Sequence, residues 1–488
     1  MSLVGGDVLK NYIGGRWVVA QSHKIPLPVE NPGTGDVLAH VPCSDTRDIA
    51  SAVEAARDAF PLWARTPLPK RLSFLSDLRD LFGAHLDELA RLITIEHGKV
   101  LHEAAGELQR AFENATKALD VSALSGRILP NMASGNITEY ERREPVGVCC
   151  GITPFNFPVM IPFWFFPYAL ACGNTYILKP SEQTPLAISR IFDLIHEANF
   201  PPGVINLVHG DKNAVNALLR HRVLSRVSSV SSSFTMDVIA KKAAACGKEY
   251  QCQGGAKNSI VVMPDVALET VVPHIIDSVY GNAGQRCLAG SNVIAVGDIA
   301  GSLQEALVAR ALDLRVGYGL DSESMMGPVI SHKAKQRIVG YIEKGIAEGA
   351  RLLLDGRNCE VPEYPNGHYL GPSIFGDVAP EMAIAKEEIF GPVMMLLRAR
   401  NLDEAIAMIN MSEYGNAAML FTDSGSAAAQ FEYETACGNL GINIGLPAPV
   451  PPFPFAGMKG SFRGNLHGQG DDAISFFTNK KVVIQRWF

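Results

Sequence analysis

A cysteine within a run of small residues is the first position whose residue types could carry chemistry. Cys287 lies in the segment GNAGQRCLAG at residues 281–290, directly after Arg286. A thiol attacks as the thiolate, so a reactive cysteine needs a nearby positive charge or backbone N–H groups. The flanking glycines would let a substrate and a second backbone segment come close to the sulfur. The segment predicts a nucleophile, and a buried structural cysteine is the alternative.

Composition favours a globular enzyme of more than one domain. The chain has 488 residues, more than one hydrophobic core normally supports, so two or three domains are expected. Hydrophobic residues make up 47% and charged residues 19%, which is the balance of a soluble globular protein. The net charge of −7 gives no basic excess, so neither a nucleic acid nor a membrane is expected as a partner.

The cysteines and the apolar segments exclude further classes. The nine cysteines are scattered without the C-x-x-C spacing of a zinc or redox site, so no metal is expected and a reducing cytoplasm fits. Residues 1–15 lack a basic region followed by an apolar core, so no secretory signal is expected. Residues 155–172 are almost wholly apolar but contain three prolines, and they fall short of a membrane span of about 20 residues.

Strands and helices are predicted to alternate strictly after residue 146. Apolar periodicity and turn residues place strands at 146–152, 175–178, 204–208 and 227–230, and helices at 159–171, 185–198, 214–221 and 236–245. Such alternation implies a parallel, doubly wound sheet that binds ligands beyond the C-terminal ends of its strands. No G-x-G-x-x-G follows any of these strands, so nucleotide binding would use another arrangement.

Other elements are predicted on both sides of this unit. Before it, the patterns indicate strands at 12–19 and 38–41, then helices at 45–60, 69–97 and 103–119, with Asp45 as the first N-cap. After it, a second α/β unit has strands at 259–263, 292–296 and 417–421 and helices at 303–314, 333–348 and 403–410. Residues 482–485 return to strand character, and such a tail often adds to another sheet, including one in a partner subunit.

Six segments in chain order resemble the motifs of the aldehyde dehydrogenase superfamily. They read GITPFNFP, LKPSEQTPL, GAKN, GQRC, EEIFGPV and FPFAGMKGSFRG, and the resemblance covers essentially the whole chain. Within the superfamily, the arginine before the cysteine, GAKN in place of GGKS, and SFRGNLHGQG are most similar to the CoA-acylating methylmalonate-semialdehyde and malonate-semialdehyde dehydrogenases. The resemblance implies an NAD-dependent enzyme that oxidises a carboxylate-bearing semialdehyde, transfers the acyl group to coenzyme A and releases CO₂.

The resemblance also implies an architecture. The expected fold is α/β, with two doubly wound domains and a β-strand oligomerisation arm. The cofactor-binding, Rossmann-like domain would take residues 1–123 and 146–255, and the catalytic domain residues 256–448. The arm would take residues 124–145 and 459–488 and make the protein a homodimer or homotetramer.

The chemistry of the site can be reasoned from the residue types. A thiolate at Cys287 would attack an aldehyde carbon, and the resulting oxyanion needs hydrogen-bond donors. The side-chain amide of Asn156 and the backbone N–H of Cys287 can supply them, although a turn asparagine often bonds its own backbone instead. By resemblance, Lys179 and Glu388 would bind the two riboses of NAD.

Four further residues complete the predicted cofactor site, and two arginines the substrate site. Glu182 and Ser232 belong to the cofactor site, as do Phe155 and Phe390, and ordinary solvated charge is the alternative for Lys179, Glu182 and Glu388. Arg286 and Arg110 would bind the substrate's carboxylate through paired hydrogen bonds, as in the semialdehyde branch. The alternative for Arg110 is an ion pair with Glu107 or Glu113 on its own helix.

Two departures from the superfamily pattern bear on function. Gln253 stands where most members have a glutamate that activates water, and a glutamine cannot hold a proton, so an acceptor other than water is indicated. In the segment SVSSSFTM at residues 229–236, Ser231 and Met236 take the positions of the two glycines that let backbone approach the cofactor's pyrophosphate, so their side chains are expected there. This leaves two alternatives to the dehydrogenase, a non-redox esterase or acyltransferase and a catalytically silent paralogue, and it leaves NAD or NADP open.

Overall fold

The computed structural model describes residues 6–120, 124, 128–130 and 136–488. Part of the predicted arm, residues 125–127 and 131–135, therefore lies outside the described residues, as do residues 1–5 and 121–123. The strands of the described part are, in chain order, β1 (Asn11–Ile13), β2 (Arg16–Val18), β3 (Leu27–Glu30), β4 (Val37–Val41), β5 (Ile128–Pro130), β6 (Ile137–Pro145), β7 (Val148–Ile152), β8 (Thr175–Lys179), β9 (Ile205–Leu207), β10 (Leu224–Val230), β11 (Glu249–Gln253), β12 (Asn258–Val262), β13 (Gly290–Val296), β14 (Arg351–Leu354), β15 (Ser373–Gly376), β16 (Val393–Ala399), β17 (Tyr414–Gly415), β18 (Ala417–Phe421), β19 (Asn439–Ile442), β20 (Met458–Lys459), β21 (Phe462–Arg463) and β22 (Thr478–Arg486).

Helices connect and cover these strands. They are α1 (Thr46–Arg65), α2 (Leu68–Ala84), α3 (Leu86–His97), α4 (Leu101–Lys117), α5 (Met160–Phe163), α6 (Phe166–Ala171), α7 (Leu186–Glu197), α8 (Lys212–Arg220), α9 (Ser233–Ala245), α10 (Leu268–Tyr280), α11 (Ala300–Leu312), α12 (His332–Ala347), α13 (Ala383–Lys386), α14 (Leu402–Met411), α15 (Gly425–Glu434) and α16 (Gly470–Phe476). In the described ranges, no helix is long and apolar enough to cross a membrane.

Two large sheets organise the fold. The first has eight strands in the order β2-β1-β9-β8-β7-β10-β11-β21, and its central strands from β9 to β11 run parallel. The second has seven strands in the order β14-β15-β16-β13-β12-β18-β19, parallel except for β14. The predicted α/β class with two parallel, helix-covered sheets is confirmed, whereas the domain boundaries stay a prediction.

Two segments that were each predicted as one helix form two helices instead. The single helix predicted at residues 69–97 is wrong, because α2 ends at Ala84 and α3 starts at Leu86; His85 between them caps α2 through its backbone N–H, which bonds the Phe82 carbonyl. The single helix predicted at residues 159–171 is also wrong, because the chain forms the short α5 and α6, and Pro167 starts the second. The predicted N-cap is confirmed, since Asp45 accepts a hydrogen bond from the Arg47 backbone N–H at 2.8 Å.

The C-terminal strand pairs within its own chain. β22 runs antiparallel to β6, from Thr478 opposite Pro145 to Arg486 opposite Ile137, and β5 pairs with the other edge of β6. Asn174, fully buried, ties this sheet to the first large sheet through four hydrogen bonds. Its carbonyl accepts from the N–H groups of Val146 and Gly147, and its amide donates to the carbonyls of Ala169 and Phe477.

Candidate active site

One cavity of about 1140 Å³ runs between the two large sheets. It lies at the C-terminal ends of β7, β8, β10 and β11, where the first sheet was predicted to bind ligands. On the side of the second sheet, the cavity is lined by Cys287, Phe390 and Asn416, which lie within three residues before β13, β16 and β18. The N-terminal edge of that sheet therefore faces the cavity. Eight predicted site residues line it, namely Phe155, Asn156, Lys179, Glu182, Ser232, Cys287, Glu388 and Phe390.

Strained backbone presents the cysteine. After α10 the chain turns through three consecutive residues with left-handed φ, Asn282 at 55°, Ala283 at 51° and Gly284 at 70°. A side chain at Gly284 would overlap the Gly391 carbonyl, so only glycine fits there. Such conformations persist only where the surroundings hold them. Gln285 does so, because its amide donates to the Asn282 carbonyl at 3.1 Å and accepts from the Ile330 N–H at 3.0 Å.

Two asparagines fix the peptide of the nucleophile. The Cys287 carbonyl accepts hydrogen bonds from Asn258 Nδ2 at 2.8 Å and Asn416 Nδ2 at 2.7 Å. Asn258 is the first residue of β12 and Asn416 directly precedes β18, so the edge of the second sheet sets the position of Cys287. Sequence reasoning missed both asparagines. Asn258 stands inside the recognised GAKN segment, but nothing in the sequence singles out Asn416.

The thiol is protonated in the unliganded protein at neutral pH. Burial and, to a smaller extent, the neighbouring Glu388 carboxylate raise the pKa of Cys287 to about 12, although the backbone N–H groups and Arg286 act in the other direction. Burial likewise raises the pKa of Glu388 to about 7, against the lowering effect of the Ala256 N–H, which donates to Glu388 Oε1 at 3.0 Å. Arg286 therefore does not activate the thiol by itself.

The side-chain amide of Asn156 faces the turn that carries Cys287. Its side chain is buried, and Nδ2 donates one hydrogen to the Gln285 carbonyl at 2.9 Å, which leaves the second hydrogen for a ligand. The bond to a carbonyl defines which end of the amide is nitrogen. The side chain thus bonds the nucleophile turn rather than its own backbone, which was the alternative for this residue.

The predicted cofactor residues lie along the same cavity. Lys179, the last residue of β8, is buried and pairs with Glu182 at 2.9 Å. The rings of Phe155 and Phe390 meet edge to face with centroids 6.0 Å apart. Ser232 caps the start of α9 without using its hydroxyl for the cap, and Ser232 Oγ bonds Thr235 Oγ1 at 3.2 Å.

The serine-rich segment differs from the expectation at one residue. Ser231, Ser232 and Phe234 line the cavity, as expected for side chains replacing glycine backbone, and Phe234 is 80% exposed. Met236 is instead fully buried, and its side chain fills the space above Gly254, where a Cβ would lie 2.7 Å from the sulfur. The expectation that Met236 stands where phosphate should bind is therefore wrong, because the residue turns into the core.

Gln253 is buried at the end of β11 and lines the cavity with Cys287. Its Nε2 donates to the Phe455 carbonyl, whereas its Oε1 has no hydrogen-bond partner among the described residues. A buried, unbonded amide oxygen is costly, and an acceptor directed at a binding site is a common reason for one.

The two predicted substrate arginines lie outside the cavity lining. Arg286 is 12% exposed and pairs with Glu103 at 2.9 Å, and its guanidinium packs against Gly281, where a side chain would overlap it. Arg110 is 40% exposed and pairs with Glu113 at 3.0 Å, the ion pair that the alternative interpretation expected. Their contact with a substrate stays a prediction. No group of three His, Cys, Asp or Glu side chains in the described ranges could hold a metal ion.

Known proteins resemble this chain over its whole length. A malonate-semialdehyde dehydrogenase of Halalkalibacterium halodurans is 46% identical over 487 residues, covering 100% of both chains. The crystal structure of a methylmalonate-semialdehyde dehydrogenase from Oceanimonas doudoroffii superimposes with a TM-score of 0.96 at 40% identity, covering 99% of this chain and 98% of the other. An aldehyde dehydrogenase of Bacillus cereus in complex with NAD⁺ gives a TM-score of 0.93 at 33% identity, covering 98% and 97%.

The family assignment follows from these matches and from the site. The pattern of the aldehyde dehydrogenase family matches residues 17–483, a range that contains the cavity, its cysteine and both large sheets apart from β1 and the first residue of β2. The chain belongs to the aldehyde dehydrogenase family.

Proposed function

We propose that this chain is an NAD-dependent dehydrogenase of malonate or methylmalonate semialdehyde that transfers the acyl group to coenzyme A. The observation that carries the proposal is a single cavity lined by Cys287, Asn156 and Gln253: a nucleophile, an oxyanion donor, and an amide at the position where most of the family has a general base. The full-length relative named malonate-semialdehyde dehydrogenase and the NAD⁺ complex of the Bacillus cereus enzyme support it.

The chain's own groups account for the acylation half of the reaction. Cys287 Sγ bonds the aldehyde carbon, and Asn156 Nδ2 with the Cys287 backbone N–H stabilises the oxyanion. The chemistry that bound NAD supplies is acceptance of the hydride from that carbon. Cys287 then carries the acyl group as a thioester. The bond between the substrate's carboxylate and its neighbouring carbon then breaks, CO₂ leaves, and that carbon takes up a proton. The coenzyme A thiolate attacks the thioester carbonyl, and Cys287 leaves as a thiolate.

The residues present fit the cofactor. Lys179, Glu182, Ser232, Glu388, Phe155 and Phe390 would hold NAD along the cavity. Because Met236 turns into the core, Ser231, Ser232, Phe234 and Thr235 line this end of the cavity, where hydroxyls and the N-terminus of α9 can donate hydrogen bonds to phosphate. The same serine segment is the one feature that favours a second candidate, a non-redox esterase or acyltransferase that uses Cys287 and Asn156 alone; a silent paralogue has no supporting feature.

The assembly and the compartment belong to this proposal as well. β22 leaves Val482 and Ile484 about two-thirds exposed and ends next to the exposed Trp487 and Phe488, which supports a homodimer or homotetramer built on this arm. The cysteines are all free thiols, which supports the cytoplasm.

Cofactor binding and acceptor choice test the main proposal. Calorimetry should detect binding of NAD⁺ at millimolar concentration or below, and NADH should form from malonate semialdehyde much faster with coenzyme A than without it. Cys287→Ser should bind NAD⁺ and form no NADH. No binding would leave the esterase candidate, and equal rates with and without coenzyme A would contradict the role given to Gln253.

Replacing the glutamine should change the acceptor. Gln253→Glu places a carboxylate beside the thioester, so we expect turnover without coenzyme A to rise by about 10-fold to 100-fold through attack of water. The products are distinguished by thiol titration and by mass spectrometry of the acyl-CoA. Gln253→Asn, which keeps an amide, is the matched control and should remain dependent on coenzyme A. An unchanged rate in Gln253→Glu would mean that water is excluded for another reason.

The two arginines should differ in what they control. Arg110 is the more exposed, so Arg110→Ala should raise KM for malonate semialdehyde at least tenfold and leave propanal unaffected. Arg286 also supports Glu103, so Arg286→Ala should lower kcat for both aldehydes in addition to any effect on KM. Equal losses on both aldehydes in Arg110→Ala would exclude a contact between Arg110 and the substrate's carboxylate.

The charge of Glu388 should control the reactivity of the thiol. Because the carboxylate raises the pKa of Cys287, Glu388→Gln should speed alkylation by iodoacetamide about threefold to tenfold above pH 8. Below pH 6 the two proteins should react alike, since the pKa of Glu388 is about 7 and its carboxyl is then protonated. Glu387→Gln, an exposed neighbour paired with Lys344, is the control. No difference at high pH would mean that burial alone sets the pKa of the thiol.

A further inference from the structure

Helix α4 carries two buried carboxylates on one face. Glu103 and Glu107 are four residues apart, one helical turn, so their side chains lie about 6 Å apart along the helix. The Glu107 side chain is completely buried and that of Glu103 is 6% exposed. Neither residue lines the cavity, yet each one bonds a turn that does.

Glu107 and its partner hold the turn that carries Asn156. Glu107 Oε1 accepts the backbone N–H groups of Val159 at 2.9 Å and Met160 at 3.1 Å. Its Oε2 pairs with Lys99 Nζ at 2.7 Å, and the same ammonium donates to the Asn156 carbonyl at 2.7 Å. The ion pair therefore bonds the turn on both sides of the oxyanion donor.

Glu103 holds the turn that carries the nucleophile. Its Oε1 accepts the backbone N–H of Asn282 at 2.6 Å and Arg286 Nη2 at 2.9 Å. Asn282 begins the left-handed backbone, and Arg286 directly precedes Cys287. A single carboxylate oxygen thus bonds both ends of the turn that presents the sulfur.

Stability alone does not explain this arrangement. A fully buried ion pair usually gains little over apolar residues of the same volume, because both charges lose their hydration. The bonds reach backbone atoms of the two turns that must meet for acylation, and an acylation site tolerates little displacement.

We propose that α4 is a positioning helix. Glu103 holds the turn that carries Cys287, and Glu107 together with Lys99 holds the turn that carries Asn156. The three residues thereby fix the distance between the Cys287 thiol and the Asn156 amide. The inference rests on the nucleophile and oxyanion roles in the proposed function. It does not depend on the cofactor, the acceptor or the semialdehyde. Lys99, Glu103 and Glu107 are positioning residues that act through Asn156 and Cys287.

Acylation by an ester, measured as the first-turnover release of p-nitrophenolate, tests the proposal without NAD or coenzyme A. In p-nitrophenyl acetate, the Cys287 thiolate attacks the ester carbonyl, p-nitrophenolate leaves, and the oxyanion hole stabilises the intermediate. Alkylation by iodoacetamide uses the same thiolate and needs no oxyanion hole. The ratio of the two rates therefore reports the oxyanion hole alone, and failure of semialdehyde oxidation leaves this ratio measurable.

Lys99→Met should lower acylation at least tenfold and change alkylation less than twofold. Glu103→Leu should lower alkylation at least threefold and acylation by a larger factor, because it displaces the sulfur and thereby also changes its distance from the Asn156 amide. Lys99→Arg, which keeps the charge and the donors, should recover part of the acylation rate. If Lys99→Met does not fold, Glu107→Gln, which removes the charge at constant shape, takes its place with the same expectation.

Lys248→Met is the matched control for the loss of a buried lysine. Lys248 donates to the carbonyls of His221 at 2.7 Å and Leu224 at 2.9 Å, far along the chain from either turn. It should lower the melting temperature and leave the ratio of acylation to alkylation unchanged. Three results would each overturn the proposal. The first is a parallel fall of both rates in Lys99→Met, and the second is no change in either rate in Lys99→Met and in Glu103→Leu. The third is release of p-nitrophenolate that survives Cys287→Ser.

Discussion

A buried ion pair between Lys99 and Glu107 bonds the turn that carries Asn156, and the geometry of the site depends on this ion pair. Lys99 follows α3 and Glu107 belongs to α4, so a segment that precedes the parallel strands of the first sheet in the chain fixes the turn after β7. The same α4 bonds the turn before β13 through Glu103. One helix therefore connects the C-terminal edge of the first sheet with the N-terminal edge of the second, and the cavity lies between these two edges.

The nucleophile is positioned by backbone rather than by its own side chain. Three left-handed residues precede Cys287, and its carbonyl accepts hydrogen bonds from both Asn258 and Asn416. The strained turn would relax in isolation, since such conformations are costly for residues other than glycine. It persists because β12 and β18 present the two amides from a rigid sheet edge. The sulfur therefore has a defined position before any ligand binds.

How far the sequence predicts this protein differs between its parts. The alternation of apolar periods is enough for the parallel sheets, and motif residues such as Cys287 and Asn156 come together in one cavity as predicted. The break between α2 and α3 has no proline, and its one glycine, Gly83, lies within the last turn of α2, so the periodicity runs through the break. Met236 was misplaced because a sequence pattern does not show into which layer the first turn of a helix points.

Charged residues were the least predictable. Glu107 was considered only as a partner for Arg110, whereas it pairs with Lys99, because helical spacing shows which side chains can meet and not which of them is buried. Arg286 stands beside the cysteine in sequence, yet its guanidinium points to Glu103, since residues adjacent in a turn need not face the same way. Burial and direction come from tertiary packing, which a single sequence does not specify.

The electrostatics of the cavity give Gln253 a second consequence beyond the missing base. Burial and the Glu388 carboxylate already keep the pKa of Cys287 at about 12, so every further negative charge in the cavity would make the thiolate harder to form. A glutamate at position 253 would add such a charge in the cavity that the sulfur shares. An amide of the same shape avoids it and keeps the bond to the Phe455 carbonyl. Glutamine in place of glutamate at position 253 thus slows attack by water on the thioester and lowers the electrostatic cost of forming the thiolate. Both effects suit an enzyme whose acceptor brings its own thiol.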